Sequence, residues 1–215
     1  QTCALPIFIF VDHPLFVGYS YGSENDTVTR QEQVAEQMLQ FFYEFYDAHP
    51  EVQNKPLYLT GQSFAGHYLP AIVNRILDAN NQNPRYLIRL GGLAMGDPWT
   101  NPSLQFRSYP YYEYEMGLID KDTREMWLKN WKYCDFDMQL CDPENEDFSE
   151  TVCQIGYQFC NQVMFYPIFE YYPSINYYDI RGECLVDGCY NVTNLNAFMN
   201  LPEVKIGRAS CRERV

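Results

Sequence analysis

Residues 57–70 read LYLTGQSFAGHYLP. Leu57-Tyr58-Leu59-Thr60 has the short apolar and aromatic character of a buried strand, and Tyr68, Ile72, Val73, Ile76 and Leu77 recur at helical spacing just beyond it. Between them stands Gly61-Gln62-Ser63-Phe64-Ala65-Gly66, so a serine occupies a strand-to-helix turn with small residues around it. A turn that sharp drives the side chains two before and two after its apex into the strand and helix, and Gly61, Ala65 and Gly66 relieve the collision. The Ser63 hydroxyl is pushed out at a helix N-terminus, where the backbone N–H of Phe64 can donate to a developing oxyanion. Gly-x-Ser-x-Ala also arises by chance in plain turns; the strand before it and the helix after it make Ser63 a candidate nucleophile.

Upstream, Ile7 to Val11 (IFIFV) predicts a further buried strand. From Thr29 to Ala48, Val34, Met38, Phe41, Phe42, Phe45 and Tyr46 recur at helical spacing, with Thr29 and Glu32 as a capping box and His49-Pro50 as the stop. Downstream, Leu87 to Met95 predicts a third strand ending in Gly96-Asp97-Pro98. The first hundred residues thus alternate β and α in the manner of a parallel sheet, an α/β fold. Beyond Pro102 the pattern changes. Residues 104–180 hold most of the Tyr, Trp and Cys without β alternation, which predicts a helical insertion stapled by disulfides.

The 215 residues carry a net charge of −13 with an aromatic share of 17%, the composition of a folded and strongly acidic chain. Nucleic acid would be repelled, so it is excluded as a partner. No apolar run reaches the length of a membrane span, and Ala4 to Val11 lacks the basic start of a secretory leader. Eight cysteines are present, six of them clustered: Cys134, Cys141, Cys153, Cys160, Cys184 and Cys189. With no Cys-x-x-Cys and all three His far upstream, disulfides are the better reading than zinc, and their pairing stays open. Disulfides place the chain in an oxidising compartment, and the sequons at Asn25 and Asn191 fit the same secretory route. Residues 205–215 carry four Lys or Arg against one Glu and an odd Cys211, and residues 1–7 carry an odd Cys3; both ends are read as foreign to the fold.

Acyl transfer through a serine needs a His base and a carboxylate that orients it. His13 and His49 precede Ser63, against the α/β-hydrolase order, and His67, four residues along the helix, points down it rather than back across the turn. The base is not legible in this chain.

GQSFAGHYLP (61–70) resembles the Gly-Glu-Ser-Tyr-Ala-Gly-x-Tyr-x-Pro signature of the serine carboxypeptidases. VDHPLFVGYSYG (11–22) resembles their Val-Asp-Gln-Pro-x-Gly-x-Gly-Phe-Ser-Tyr segment, and LGGLAMGDPWTNP (90–102) their Lys-Gly-x-x-x-Gly-Asn-Gly-x-x-Asp-Pro segment. MGLID (116–120), YYDIRGEC (177–184) and FMNLPEVK (198–205) are similar to later blocks in the same order.

The resemblance implies a partial α/β-hydrolase domain over residues 8–204, with 104–180 as the insertion overhanging the active site. It implies removal of C-terminal residues from peptides or proteins in a vacuole, lysosome or extracellular space, with no cofactor and no metal. The oligomeric state is left open. Ser63 is then the nucleophile, and Phe64, where the family has Tyr, gives an oxyanion N–H. Gln62 replaces the Glu that binds the substrate's terminal carboxylate, Phe16 replaces a Gly, and Asp97-Pro98 replaces Asn-Gly. The family's Trp-Asn-Gly-Gly-Pro-Gly oxyanion loop and its triad Asp and His match nothing here, so the chain alone is expected to be inactive and its sheet unclosed. An acyltransferase on the same scaffold and a non-catalytic binding relative are the alternatives.

Overall fold

The structure is a computed structural model describing residues 7–142, 145, 146 and 148–209; Cys3, Cys211 and most of the two set-aside ends lie outside the described residues. The chain divides after Thr100 into two units.

The first unit opens on a loop with a short 3-10 turn at Glu24–Asp26, followed by helix α1, Gln31–Ala48. Val34, Met38, Phe42 and Tyr46 are buried on α1 as the spacing predicts, joined by Ala35, Leu39 and Tyr43, while Phe41 and Phe45 are only partly buried against the core. Its start differs from the expected box. Because the first helical residue is Gln31, the third position is Gln33, and Gln33 Oε1 accepts from the N–H of Thr29 at 2.9 Å and of Arg30 at 3.1 Å. After a 3-10 turn at Pro50–Val52 come β1 (Leu57–Gln62), α2 (Ala65–Asn80) and β2 (Leu90–Gly96).

β1 and β2 pair in parallel, with Leu59 opposite Leu93 and Gln62 opposite Gly96, and α2 is the crossover between them. β2 begins later than Leu87 because Asn80 captures the preceding backbone: Ile88 donates its N–H to Asn80 Oδ1 at 3.0 Å, and Asn80 Nδ2 donates to Ile88 O at 2.8 Å. The core joins α1, α2 and the sheet through Leu39, Phe42, Leu59, Ile72, Ile76 and Ile88.

Residues 7–11 were expected as a strand, and here the structure differs. The segment is unpaired, and Phe8 and Phe10 are 75% and 93% exposed. A strand is made by its ladder partner, and neither β1 nor β2 pairs with this segment.

The second unit is helical: α3 (Pro102–Glu115), α4 (Lys121–Gln139), α5 (Glu150–Cys160), a π-helical turn (Asn161–Phe165), α6 (Pro167–Tyr171), α7 (Thr193–Met199) and α8 (Pro202–Ala209). Side chains cap the first three: Asn101 accepts from Leu104 N–H at 3.2 Å, Asp120 from Thr123 N–H at 2.8 Å, and Ser149 from Val152 N–H at 3.5 Å. All six clustered cysteines are paired. Cys134–Cys160 and Cys141–Cys153 tie α4 to α5, and Cys184–Cys189 closes a short loop. The fold is α/β, with a small two-stranded parallel sheet, followed in the chain by a disulfide-rich helical region.

Candidate active site

Ser63 lies between the end of β1 and the start of α2, with φ at 56°, in the left-handed region that side-chain-bearing residues rarely adopt. Holding a serine there costs about 1–2 kcal/mol, so the surroundings must enforce it. They do so through three backbone hydrogen bonds. Ser63 donates its N–H to Gly96 O at 3.1 Å, one step past the β1–β2 ladder, and Ser63 O accepts from Trp99 N–H at 2.9 Å and from Gly66 N–H at 3.0 Å.

The small residues around Ser63 have two separate causes. A Cβ on Gly61 would fall 2.5 Å from the Ala65 Cβ, which is the collision across the turn that the sequence predicts. A Cβ on Gly66 would instead meet backbone, 2.5 Å from Trp99 O and 2.7 Å from its carbon. Gly66 therefore makes room for the chain leaving β2, a contact between segments distant in sequence that no local pattern encodes.

Gln62, Ser63 and Phe64 are exposed. Among the described residues no side chain hydrogen-bonds the Ser63 hydroxyl, and the Phe64 N–H, at the N-terminus of α2, has no acceptor. The Gln62 amide is likewise without a partner there. A hydroxyl, an amide N–H and a carboxamide are thus presented together on consecutive residues. The Phe64 ring packs on His67 at 4.8 Å and edge-on against Tyr68 at 5.1 Å between centroids. His67 is half-buried, and burial holds its imidazole below the usual histidine range.

Gln62, Ser63, Phe64 and Tyr68 border a cavity of about 1010 Å³ whose walls also include Ile7, Phe8, Ile9 and Val11 and residues of α1, β1 and α2. His13 lines it too. Its ring meets Tyr68 edge-on at 5.8 Å, its Nε2 is buried without a hydrogen-bond partner, and burial lowers its pKa. The sequence reading set His13 aside because it precedes Ser63. The signal available was substitution: His13 stands where the quoted family segment has Gln.

The loop carrying His13 folds back through Asp12, whose Oδ2 accepts from Tyr19 N–H at 2.9 Å and whose carbonyl accepts from Ser20 Oγ at 2.6 Å. Phe16, in the place of a family Gly, has φ at 71° and an exposed ring; Asp97, in the place of Asn, has φ at 42°. Both sequon asparagines, Asn25 and Asn191, are exposed. Among the described residues no group of three or more His, Cys, Asp or Glu could hold a metal ion, and no helix is long and apolar enough to cross a membrane.

The family model described as serine carboxypeptidase matches residues 6–209. Serine carboxypeptidase-like 49 of Arabidopsis thaliana is 33% identical over 198 residues, covering 92% of this chain and 37% of that protein. Serine carboxypeptidase 3 of Hordeum vulgare is 36% identical over 191 residues, covering 88% of this chain and 37% of that protein. The chain therefore spans well under half the length of these relatives. Among solved structures, Kex1(delta)p, a prohormone-processing carboxypeptidase from Saccharomyces cerevisiae, shares the fold with a TM-score of 0.56 at 22% identity, over 72% of this chain and 35% of that one.

Proposed function

The chain belongs to the serine carboxypeptidase family, and from that premise we propose that it carries the nucleophile of an enzyme that releases C-terminal residues from peptides. The observation behind this reading is Ser63 at φ 56°, braced on both sides, with its hydroxyl and the next N–H both free. Ser63 Oγ attacks the carbonyl carbon of the last peptide bond while a His base takes its proton. The Phe64 N–H donates to the oxyanion that forms, the C–N bond breaks as the same His returns the proton to the leaving amine, and water then hydrolyses the acyl-enzyme. No residue of this chain is assigned as that His or its orienting carboxylate, so on this reading the isolated chain is expected to be inactive.

Gln62 is the group on this chain that reads the substrate's terminal carboxylate. Its amide donates a hydrogen bond at any pH, without the repulsion two ionised carboxylates would feel. Binding through Gln62 therefore persists toward neutral pH. The same substitution favours a second reading, an acyltransferase on this scaffold, because the carboxylate-reading group is altered; turnover of a blocked dipeptide against an acyl-glucose separates the two. The three disulfides and exposed sequons support passage through the secretory pathway to a vacuole, lysosome or the cell exterior.

The test is a fluorophosphonate probe on the full-length protein. An adduct mapped to Ser63 and lost in Ser63→Ala is the expected result; labelling that persists in Ser63→Ala removes Ser63 as the nucleophile.

A further inference from the structure

Among the described residues lining the Ser63 cavity, His13 is the one whose ordinary titration lies between acid and neutral pH. The charged and titratable groups around it offer no relief to a proton. Tyr46 lines the cavity from α1, Tyr58 from β1, Tyr68 from α2, and Lys55, a cation, from the loop before β1; no Asp or Glu is among the described lining residues. The carboxylate of the neighbouring Asp12 accepts from Tyr19 N–H and lies against Gly18. An imidazolium at His13 would therefore have a buried, unpartnered Nε2, no Asp or Glu among the described residues lining the cavity, and a lysine on the same cavity.

Neutral His13 has a place in the packing. Its ring edge meets Tyr68, and Tyr68 meets the ring of Phe64, the residue whose N–H is assigned to the oxyanion. We propose that uncharged His13 is a positioning residue that holds Phe64, through Tyr68, in its place beside Ser63, and that protonating His13 disables the site from the acid side. This rests on Ser63 being the nucleophile. It also deepens that reading: an amide at Gln62 and an imidazole that must stay neutral both turn the site toward neutral pH. Burial lowers the pKa of His13, so the neutral form persists somewhat below the ordinary histidine range.

The test uses the full-length enzyme. kcat/KM for a blocked dipeptide and the rate of fluorophosphonate labelling at Ser63 are measured from pH 4 to pH 8 in wild type, His13→Gln and His13→Asn. A required deprotonation gives a fall of about tenfold per pH unit below its pKa, so the ratio of kcat/KM at pH 7 to that at the acid end of the scan should shrink in both variants. The labelling rate should shrink in the same ratio. An NMR titration of the His13 ring in wild type, which needs no variant, should share its midpoint with the acid limb. An unchanged limb in variants that label normally, or a His13 midpoint away from the limb, overturns this inference and leaves the nucleophile standing. Absence of labelling and turnover at every pH overturns both.

Discussion

A Cβ placed on Gly66 falls 2.5 Å from the carbonyl oxygen of Trp99, and the same Trp99 donates its N–H to Ser63 O at 2.9 Å. The chain leaving β2 is thus fitted against the first turn of α2 closely enough to brace the serine, and the fit leaves no room for a side chain. Gly66→Ala should destabilise the protein by about 3 kcal/mol, because backbone rather than a flexible side-chain end must move. Gly61→Ala meets side chains alone, the Ala65 Cβ at 2.5 Å and Leu69 Cδ1 at 3.2 Å, and should be partly rescued by Ala65→Gly, whereas Gly66→Ala should not. Denaturant melts of the two singles and the double variant measure the coupling.

Phe16 holds a left-handed backbone with its ring 49% exposed, so it bears the strain of a side chain in that region with little burial in return. Phe16→Gly should raise stability by about 1 kcal/mol. A thermal melt that falls instead would show that the ring contributes more packing than its exposure implies.

Glu113 on α3 is buried, its Oε2 has no hydrogen-bond partner, and burial raises its pKa to about 7. A folded-state pKa above the unfolded value means that the stabilisation is complete below the ordinary glutamate value of 4.5 and is lost as pH rises through about 7. The loss across that window should be about 3 kcal/mol. Melts at pH 4.5 and pH 8 measure it, and Glu113→Gln, which cannot ionise, should flatten the dependence.

The three disulfides close loops of 26, 12 and 5 residues. Loop closure in the unfolded chain predicts losses of about 3.5, 3 and 2 kcal/mol on removing them as Cys→Ala pairs. Cys134 and Cys160 are fully buried, so their removal should be the most damaging of the three, read from the order of denaturant midpoints.

What was legible in the sequence was whatever depends on neighbours along the chain. The stripe of α1, the strand–turn–helix around Ser63 and the clustering of cysteines are local patterns, and the structure carries all three. What depends on partners distant in sequence was not. Ile7 to Val11 has strand composition and no ladder, Ile88 is held out of β2 by the side chain of Asn80, and the need for Gly66 lies at Trp99. His13 was passed over on chain order, whereas its relation to Ser63 is through the walls of a shared cavity.

The braces of Ser63 all come from residues between Gly61 and Trp99. Ser63 reaches Gly96 and Trp99 only across the β1–α2–β2 crossover, a non-local parallel pairing, but no brace involves a residue beyond Trp99. The serine's conformation therefore does not require the cysteines of the second unit, the first of them at Cys134, to have been oxidised into pairs. During synthesis every part of the turn has been made by the time the chain reaches residue 100, so the geometry at Ser63 can be complete while the cysteines of the second unit are still unpaired.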